Sequence, residues 1–451
     1  SFISWGNQFY TIIRAQLSWQ QHHAAAKLED NDDNAHFFRY ASNGRKTPMV
    51  WPTHNNTQND VYLVNGKVVT PHRIVQPGLV HIHGETIARV VEMGQGSIPE
   101  GVRVVDVRGA WIIPGLIDIH VHGGGGGDTM DGSIDSLCLI ASTHARGGTT
   151  AITPTTMTTS IQNITEALEA FAQARDSTIE GARLLGVHLE GPYFSYEQRG
   201  AQDPQYLKNP DPEEYLELLD RYPFITRVSA APELPGALEL GRELRRRRIL
   251  ASIAHTDATY DQVLLALDAG YSHMTHLYSG MSGMKRVNCY RVAGAIEAGL
   301  VLDELTVEVI ADGKHLPGSL LKLIYKCKGA DRMALCSDAL RPAGLPAGLY
   351  STGQASDDRV LVEDGVAWLP DKSSFAGSVV TGTQLLKTMV EIAGVPFQEA
   401  VKMATITPAR ILNVDHVMGS LDPGKYADVV VMKEDFTVLY TIIGGKTVYV
   451  A

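Results

Sequence analysis

Cysteine is scarce in this chain, and paired cysteine motifs are missing. The four cysteines, Cys138, Cys289, Cys327 and Cys336, are irregularly spaced and none stands in a CxxC pair. That argues against a disulfide framework and predicts reduced thiols in a cytoplasmic protein. No apolar run is long enough to span a membrane. An excess of positive charge is missing too. With 39 Lys and Arg against 50 Asp and Glu, the net charge is -11. This argues against nucleic acid or an anionic membrane as the main partner, and any anionic substrate needs a local basic pocket. No GxGxxG follows an early strand, which disfavours a doubly wound open sheet, and no serine or cysteine stands in a convincing nucleophile elbow. Residues 2–13 are mildly apolar, but Asn7 and Gln8 interrupt them and no basic segment precedes them, a poor match to a signal peptide. What remains is an ordinary globular composition, 44% hydrophobic and 20% charged over 451 residues. That suits one barrel-sized domain and a smaller one.

The most informative stretch is 111–128, WIIPGLIDIHVHGGGGGD. Ile117, Ile119 and Val121 alternate with Asp118, His120 and His122. Side chains alternate across a strand, so His120 and His122 leave from one face. Two imidazoles on one face at the carboxyl end of a strand can grip one divalent ion. Gly123 to Gly127 then allow a sharp turn and the close approach of a ligand.

Residues 1–58 are unlike the rest, rich in Asn, Gln, His and Trp with an acidic patch at 29–33, and carry no assigned function. Short strands are predicted at 61–64, 67–69, 79–83, 88–91 and 102–107, with turns at Asn65 and Gly66 and at Gly84 and Glu85. Strands at 428–432, 437–443 and 446–450, with a turn at Gly444 and Gly445, give the C-terminus the same character. The two ends are expected to pack as one small β-sandwich, 59–113 with 415–451. Between them, over 114–414, strands alternate with amphipathic helices. The strands are predicted at 112–121, 149–153, 183–190, 227–231, 250–254, 271–275, 305–310 and 333–337. Helices are predicted at 161–175, 212–221, 238–247, 260–269, 318–326 and 382–392. Eight such repeats indicate an α/β fold with a (β/α)8 TIM-type barrel, whose chemistry sits at the carboxyl ends of its strands.

Ionisable residues collect at those ends: His120 and His122, His188 and Glu190, His255, His273 and His276, and Asp338. Histidine and carboxylate form the ligand set of zinc and similar metals. His188 and His273 fit a core or supporting role better than a ligand role. A carboxylate buried at Glu190, where Gly191 and Pro192 end the strand, needs a cation. Asp338 suits either a helix N-cap or catalysis, and its place after the last strand favours catalysis.

HVHG at 120–123, HLEGP at 188–192, His255, His276, Asp338 and SLDPGKYADVVV at 420–431 resemble the amidohydrolase superfamily. HLEGPYF with Arg199 and Gly200, APE at 231–233, THLYSGM at 275–281, IADGKH at 310–315, FAGS at 375–378 and TPARIL at 407–412 resemble the N-acetylglucosamine-6-phosphate deacetylase family, from about residue 59 onward. The resemblance implies that Glu190, His255 and His276 hold the main catalytic metal. His120 and His122 would hold a second, with Glu190 between the two sites, and Asp338 would be the general base. It implies one or two divalent ions, most readily Zn2+. It also implies substrate contacts from Ala201, Gln202, Ser279, Gly280, His315 and Ser378, and a homodimer in which each site is completed by the neighbouring subunit.

Two departures stand out. Ser279 and Gly280 replace a usual Asn-Ala pair. In KRVNCYRVAG, Asn288 takes the place of an arginine that usually reaches the substrate phosphate, leaving Arg286 and Arg291 as substitutes. The implied reaction is metal-assisted hydrolysis of the acetamide of N-acetylglucosamine-6-phosphate, a small-molecule amino-sugar phosphate. The metal would activate water, and Asp338 would take its proton and pass it to the leaving amine. The alternatives are deacetylation of N-acetylgalactosamine-6-phosphate or of an unphosphorylated sugar, another small-amide amidohydrolase, a non-enzymatic scaffold, or a sugar-phosphate regulator. A lysine-bridged ring-opening relative is disfavoured because Glu190 stands in the bridging region.

Overall fold

Two glycines set how the chain enters its central barrel. The computed structural model describes residues 38–40, 46–48, 60–95, 98–175, 177, 179–351 and 359–451. The chain divides into two units, Ser1–Asn55 and Asn56–Ala451. In the first, the described residues are Phe38–Tyr40 and Lys46–Pro48, an antiparallel pair. The remainder of the expectation for 1–58 lies outside the described residues.

In the second unit, the predicted strand 112–121 is two strands. Trp111–Pro114 joins an outer sheet and Leu116–Val121 starts the barrel. Gly115 makes the break, its N–H donating to the Asp428 carbonyl at 2.8 Å. A Cβ at this glycine would stand 2.7 Å from Thr150 Cβ, so no larger residue fits between the layers. Gly186, at φ 132°, likewise splits 183–190 into Arg183–Leu184 and Val187–Glu190.

The barrel strands are β1 (Leu116–Val121), β2 (Thr149–Pro154), β3 (Val187–Glu190), β4 (Ile225–Ala230), β5 (Leu250–Ile253), β6 (Tyr271–Met274), β7 (Thr306–Ile310) and β8 (Met333–Cys336). All their pairings are parallel. Parallel bridges between Val121 and Ala339 and between Thr155 and His188 close the ring. Val228, Ile253, Met274, Val307 and Val309 belong to the apolar core. The inward positions are polar: Asp118, His120, His188, Glu190, Arg227, Ser229, Ser252, His273 and Glu308 are all buried.

The helices Ile161–Arg175, Pro212–Arg221, Ala237–Arg247, Tyr260–Ala269 and Gly318–Lys328 fall where the apolar periodicity put them. Their ends follow ordinary capping chemistry. Asp211 accepts from the Glu213 N–H, Thr259 and Gln262 form a capping box, and Gly270 at φ 114° closes the helix it ends. The predicted helix 382–392 is shorter, Thr383–Lys387, and runs on as a π-helical turn, Thr388–Ile392. Among the described residues no helix is long and apolar enough to cross a membrane.

The two ends of this unit share an eight-stranded mixed sheet in which Trp111–Pro114 pairs with both Asp60–Val69 and Val429–Met432. Asn65 and Gly66 do not make the expected hairpin turn. Asn65, at φ 59°, sits within the single strand Asp60–Val69, whose pairing shifts register between Leu63 and Gly66. The turns at Gly84 and at Gly444 and Gly445 are present. A four-stranded antiparallel sheet, Gly348–Ser351, Arg359–Glu363, Val366–Trp368 and Phe375–Ser378, follows β8 and was not foreseen. A bridge from Ala339 to Ser378 ties its last strand to the barrel mouth.

Candidate metal centre and active site

A single buried carboxylate collects the strand-end histidines. Glu190 ends β3, with its Oε2 facing His122 Nε2 at 3.2 Å and His120 Nε2 at 3.5 Å. Its Oε1 faces His276 Nε2 at 3.0 Å and His255 Nε2 at 3.6 Å. The two oxygens therefore address different histidine pairs. Asp338 Oδ1 stands 3.4 Å from His120 Nε2 and 3.2 Å from His122 Nε2. All six side chains are buried. Within this set, His120, His122 and Glu190, and separately Glu190, His255 and His276, bring one donor atom each to within 4.8 Å of one another.

The backbone is strained at three of these positions. His255, His276 and Asp338 adopt φ of 44°, 28° and 49°. A left-handed conformation at a residue with a Cβ costs on the order of 1–3 kcal/mol, and it persists where function re-aims a side chain. Here it follows the ends of β5, β6 and β8 and directs the side chains into the barrel mouth. Asp338 is held on both sides, its N–H donating to the His120 carbonyl at 3.0 Å and its carbonyl accepting from the Ser378 N–H at 2.9 Å.

The hydrogen-bond partners assign the tautomers. His120 Nδ1 lies 2.8 Å from Glu308 Oε1, His122 Nδ1 lies 3.2 Å from the Thr155 carbonyl, and His255 Nδ1 lies 2.9 Å from the Gln198 carbonyl. All three partners only accept, so each Nδ1 carries a proton. In the neutral rings Nε2 then presents a lone pair towards Glu190, Asp338 and the other rings; the His120 and His122 Nε2 atoms are 3.2 Å apart. Lone pairs aimed at carboxylate oxygens repel unless a cation stands among them. Buried His276 Nδ1 has no hydrogen-bond partner among the described residues. This donor set fits a divalent ion.

Without one, protons meet the same need. Burial works against charge on His120, yet Glu190 and Asp338 hold its pKa well above the ordinary value. Burial opposes charge on His122 as well, and hydrogen bonds to Asp338 and Glu190 push it up to about 9. Burial favours the neutral acid at Glu190, but the imidazoles, His120 foremost, hold it well below the usual carboxylate range.

His188 and His273 face other partners. His188 sits 2.7 Å from Ser229 Oγ and 3.3 Å from Thr155 Oγ1, and burial depresses its pKa. His273 lies 2.8 Å from Thr306 Oγ1 and 3.4 Å from Glu308 Oε2.

Gln202 bridges the site wall, donating to Glu190 Oε2 at 3.4 Å and accepting from the Thr158 N–H at 2.9 Å. Ala201 lines a neighbouring cleft with Asp128, Met157, Leu340, Arg341 and Ala376. Ser279 is half-buried behind His276, to whose carbonyl its N–H donates. Gly280, at φ 58°, presses on the His255 ring: a Cβ there would meet Nδ1 at 2.6 Å. His315 Nδ1 lies 2.7 Å from Asp312 Oδ2, with its ring 4.9 Å from that of Phe375. The buried Ser378 hydroxyl donates to the Ser337 carbonyl.

Arg286 and Arg291 lie apart from this cluster, on an exposed hairpin. Its strands, Lys285–Val287 and Tyr290–Val292, are joined through Asn288 at φ 47° and Cys289 at φ 72°, and the two arginines are directly opposite one another. Like charges facing across strands destabilise the pair, and among the described residues no carboxylate pairs with either. Lys285 anchors the hairpin to Asp257 at 2.6 Å, and Asp257 accepts from the Gln198 side chain whose backbone holds His255.

Sequence reading missed Glu308 and Arg227. Each is the lone charge of its strand, and only their inward register on β7 and β4 could have signalled a partner.

A closed parallel barrel with paired histidine sets around one carboxylate at its mouth defines a hydrolase scaffold of one kind. The chain belongs to the amidohydrolase family, whose profile matches residues 111–448. It is 36% identical over 341 residues to an N-acetylglucosamine-6-phosphate deacetylase of Vibrio furnissii, covering 75% of this chain and 83% of that enzyme. It is also 36% identical over 374 residues to an N-acetylgalactosamine-6-phosphate deacetylase of Escherichia coli O157:H7, covering 83% of this chain and 96% of that enzyme. The crystal structure of N-acetylglucosamine-6-phosphate deacetylase from Pasteurella multocida superposes with a TM-score of 0.80 at 27% identity, covering 87% of this chain and all of that one.

Replacing His255 or His276 with alanine is expected to lower the divalent metal bound per chain, read by elemental analysis of the folded protein. Wild-type metal content in both variants would contradict the assignment.

Proposed function

We propose that the chain hydrolyses the N-acetyl group of N-acetylglucosamine-6-phosphate to give glucosamine-6-phosphate and acetate. The single observation that carries this reading is the buried Glu190 carboxylate, each oxygen turned to a separate pair of imidazole Nε2 atoms, with Asp338 beside them. The family and the names of the relatives at 36% identity support the substrate class. In this reading Glu190, His255 and His276 hold one divalent ion. His120 and His122, with Glu190, hold a second where it is present, and Zn2+ suits this nitrogen and oxygen donor set best. Such an ion supplies a Lewis acid that makes a water acidic near neutral pH and polarises the acetyl carbonyl.

Asp338 is the general base. Its carboxylate can take the proton of the attacking water and return it to the leaving nitrogen, so one group serves both halves of the reaction. Asp338 Oδ1 stands 3.4 Å and 3.2 Å from the Nε2 atoms of His120 and His122, where a cation held among these rings favours the ionised carboxylate. Its backbone, tied at 3.0 Å and 2.9 Å to neighbouring segments, fixes where the carboxylate points. Gln202 steadies Glu190, and Ala201, Ser279, Gly280, His315 and Ser378 surround the sugar.

The phosphate is read by Arg286 or Arg291. The support is their opposed, carboxylate-free placement on the exposed hairpin, where a dianion relieves the repulsion. The hairpin works in a homodimer, reaching the active site of the neighbouring subunit. The catalytic barrel spans 114–414, flanked by the small β-domain from 59–113 and 415–451, and the enzyme acts in the cytoplasm. The galactosamine epimer is a second reading, favoured by the equally identical relative from Escherichia coli.

Three outcomes test this. Acetate release from the 6-phosphates of N-acetylglucosamine and N-acetylgalactosamine and from the free sugars should be fastest with the first. Loss of all four activities in metal-replete protein would overturn the reading. Asp338→Asn should keep its metal and lose on the order of a hundred- to ten-thousand-fold in turnover; near wild-type turnover would mean another base. Arg286→Ala or Arg291→Ala should cost about 2–3 kcal/mol, tens- to hundreds-fold in kcat/KM, on the phosphorylated sugar alone. An unchanged ratio between phosphorylated and free sugar in both would remove the phosphate site from the hairpin.

A further inference from the structure

Below the histidine cluster lies a second, fully buried ionic group that the reaction does not consume. Arg227 on β4 forks onto Glu308 on β7, with Nη1 to Oε2 at 2.7 Å and Nη2 to Oε1 at 2.9 Å, and both side chains are wholly buried. The remaining donors of Arg227 are satisfied too, by Ser252 Oγ at 3.0 Å, Thr275 Oγ1 at 2.8 Å and the Ile119 carbonyl at 3.1 Å. Glu308 passes this rigidity upward. Its Oε1 receives the His120 Nδ1–H at 2.8 Å and the His276 backbone N–H at 3.3 Å, and its Oε2 lies 3.4 Å from His273 Nε2.

We propose that Glu308, locked by Arg227, is a positioning residue for the metal centre. It fixes His120 in the tautomer whose Nε2 is bare towards the ion, and it holds the His276 backbone in its strained turn. This rests on the proposed metal-dependent reading. A neutral imidazole can offer only one nitrogen to a metal, and the acceptor on the other nitrogen decides which. His122 and His255 use backbone carbonyls for that purpose, at 3.2 Å and 2.9 Å, whereas His120 alone uses a carboxylate. A carboxylate partner also makes the ring a stronger donor. Burying that carboxylate is unfavourable by itself, and Arg227, with its fixed fork and permanent charge, is what allows it to remain ionised so deep in the barrel.

The test removes the pair together, because a lone buried charge left behind would unfold the barrel for reasons unrelated to metal. Two double variants of the full chain are compared with wild type: Arg227→Met with Glu308→Leu, which removes the acceptor, and Arg227→Met with Glu308→Gln, which keeps a neutral one. The readouts are the Zn2+ dissociation constant by chelator competition, and the visible absorption of the Co2+-loaded protein, which reports ligand geometry and which a purely structural role would leave unchanged. The leucine variant is expected to weaken Zn2+ binding by about 10- to 100-fold and to alter the Co2+ spectrum. The glutamine variant should recover part of both. Wild-type affinity and spectrum in both folded variants would overturn the positioning role and leave the metal reading intact. Failure of the wild-type chain itself to bind Zn2+ or Co2+ would overturn both.

Discussion

The structure turns on one buried anion. Glu190 sits at the end of β3 with almost no solvent, and a carboxylate in that position is unfavourable by several kcal/mol unless cationic partners surround it. The chain answers with four imidazoles at 3.0–3.6 Å, drawn from β1 itself and from the segments after β1, β5 and β6, and therefore distant in sequence. The left-handed backbone at His255, His276 and Asp338 follows from this demand, since an unstrained continuation of each strand would send those side chains elsewhere. The close approach of Gly280 to the His255 ring has the same origin, because space that a side chain would fill is given to the imidazole.

That demand changes the character of the barrel. Barrels of this type usually fill their interior with branched apolar residues in layers. Here Asp118, Arg227, Ser229, Ser252, His273 and Glu308 occupy it, and the apolar core lies mainly between strands and helices. A polar interior is safe only when its members are satisfied. The Arg227 fork meets that condition, with every guanidinium nitrogen engaged. The result is a stiff plug under a strained mouth, in which stability is spent on fixed geometry at the site.

Much of this was legible in the sequence, and the limits have physical causes. The period-two alternation of 117–122 announced both the strand and the convergence of His120 and His122. The helices were legible from apolar periodicity, whereas the caps at Asp211, Thr259 and Gly270 emerged only from the structure. Strand continuity was harder to read: Gly115 and Gly186 break strands because of packing and backbone angle, which composition does not encode, and Asn65 with Gly66 makes a bulge where the same pair elsewhere makes a hairpin. The sheet spanning Gly348–Ser351 to Phe375–Ser378 was hidden because its strands are short and mixed in polarity. Glu308 and Arg227 were hidden because their meaning lies in a pairing across 81 residues. The opposition of Arg286 and Arg291 needed the hairpin register, which their spacing alone leaves open.

The chemistry of the site depends on a cation among these donors. The most direct measurement is anomalous diffraction at the zinc edge from crystals of the full chain grown with Zn2+. A peak within bonding distance, about 2.0–2.2 Å, of Glu190 and of the Nε2 atoms of His255 and His276 is the predicted result, with any second peak between His120 and His122. Well-ordered density for these side chains with no anomalous peak among them, or a zinc peak held only by other residues, would contradict it.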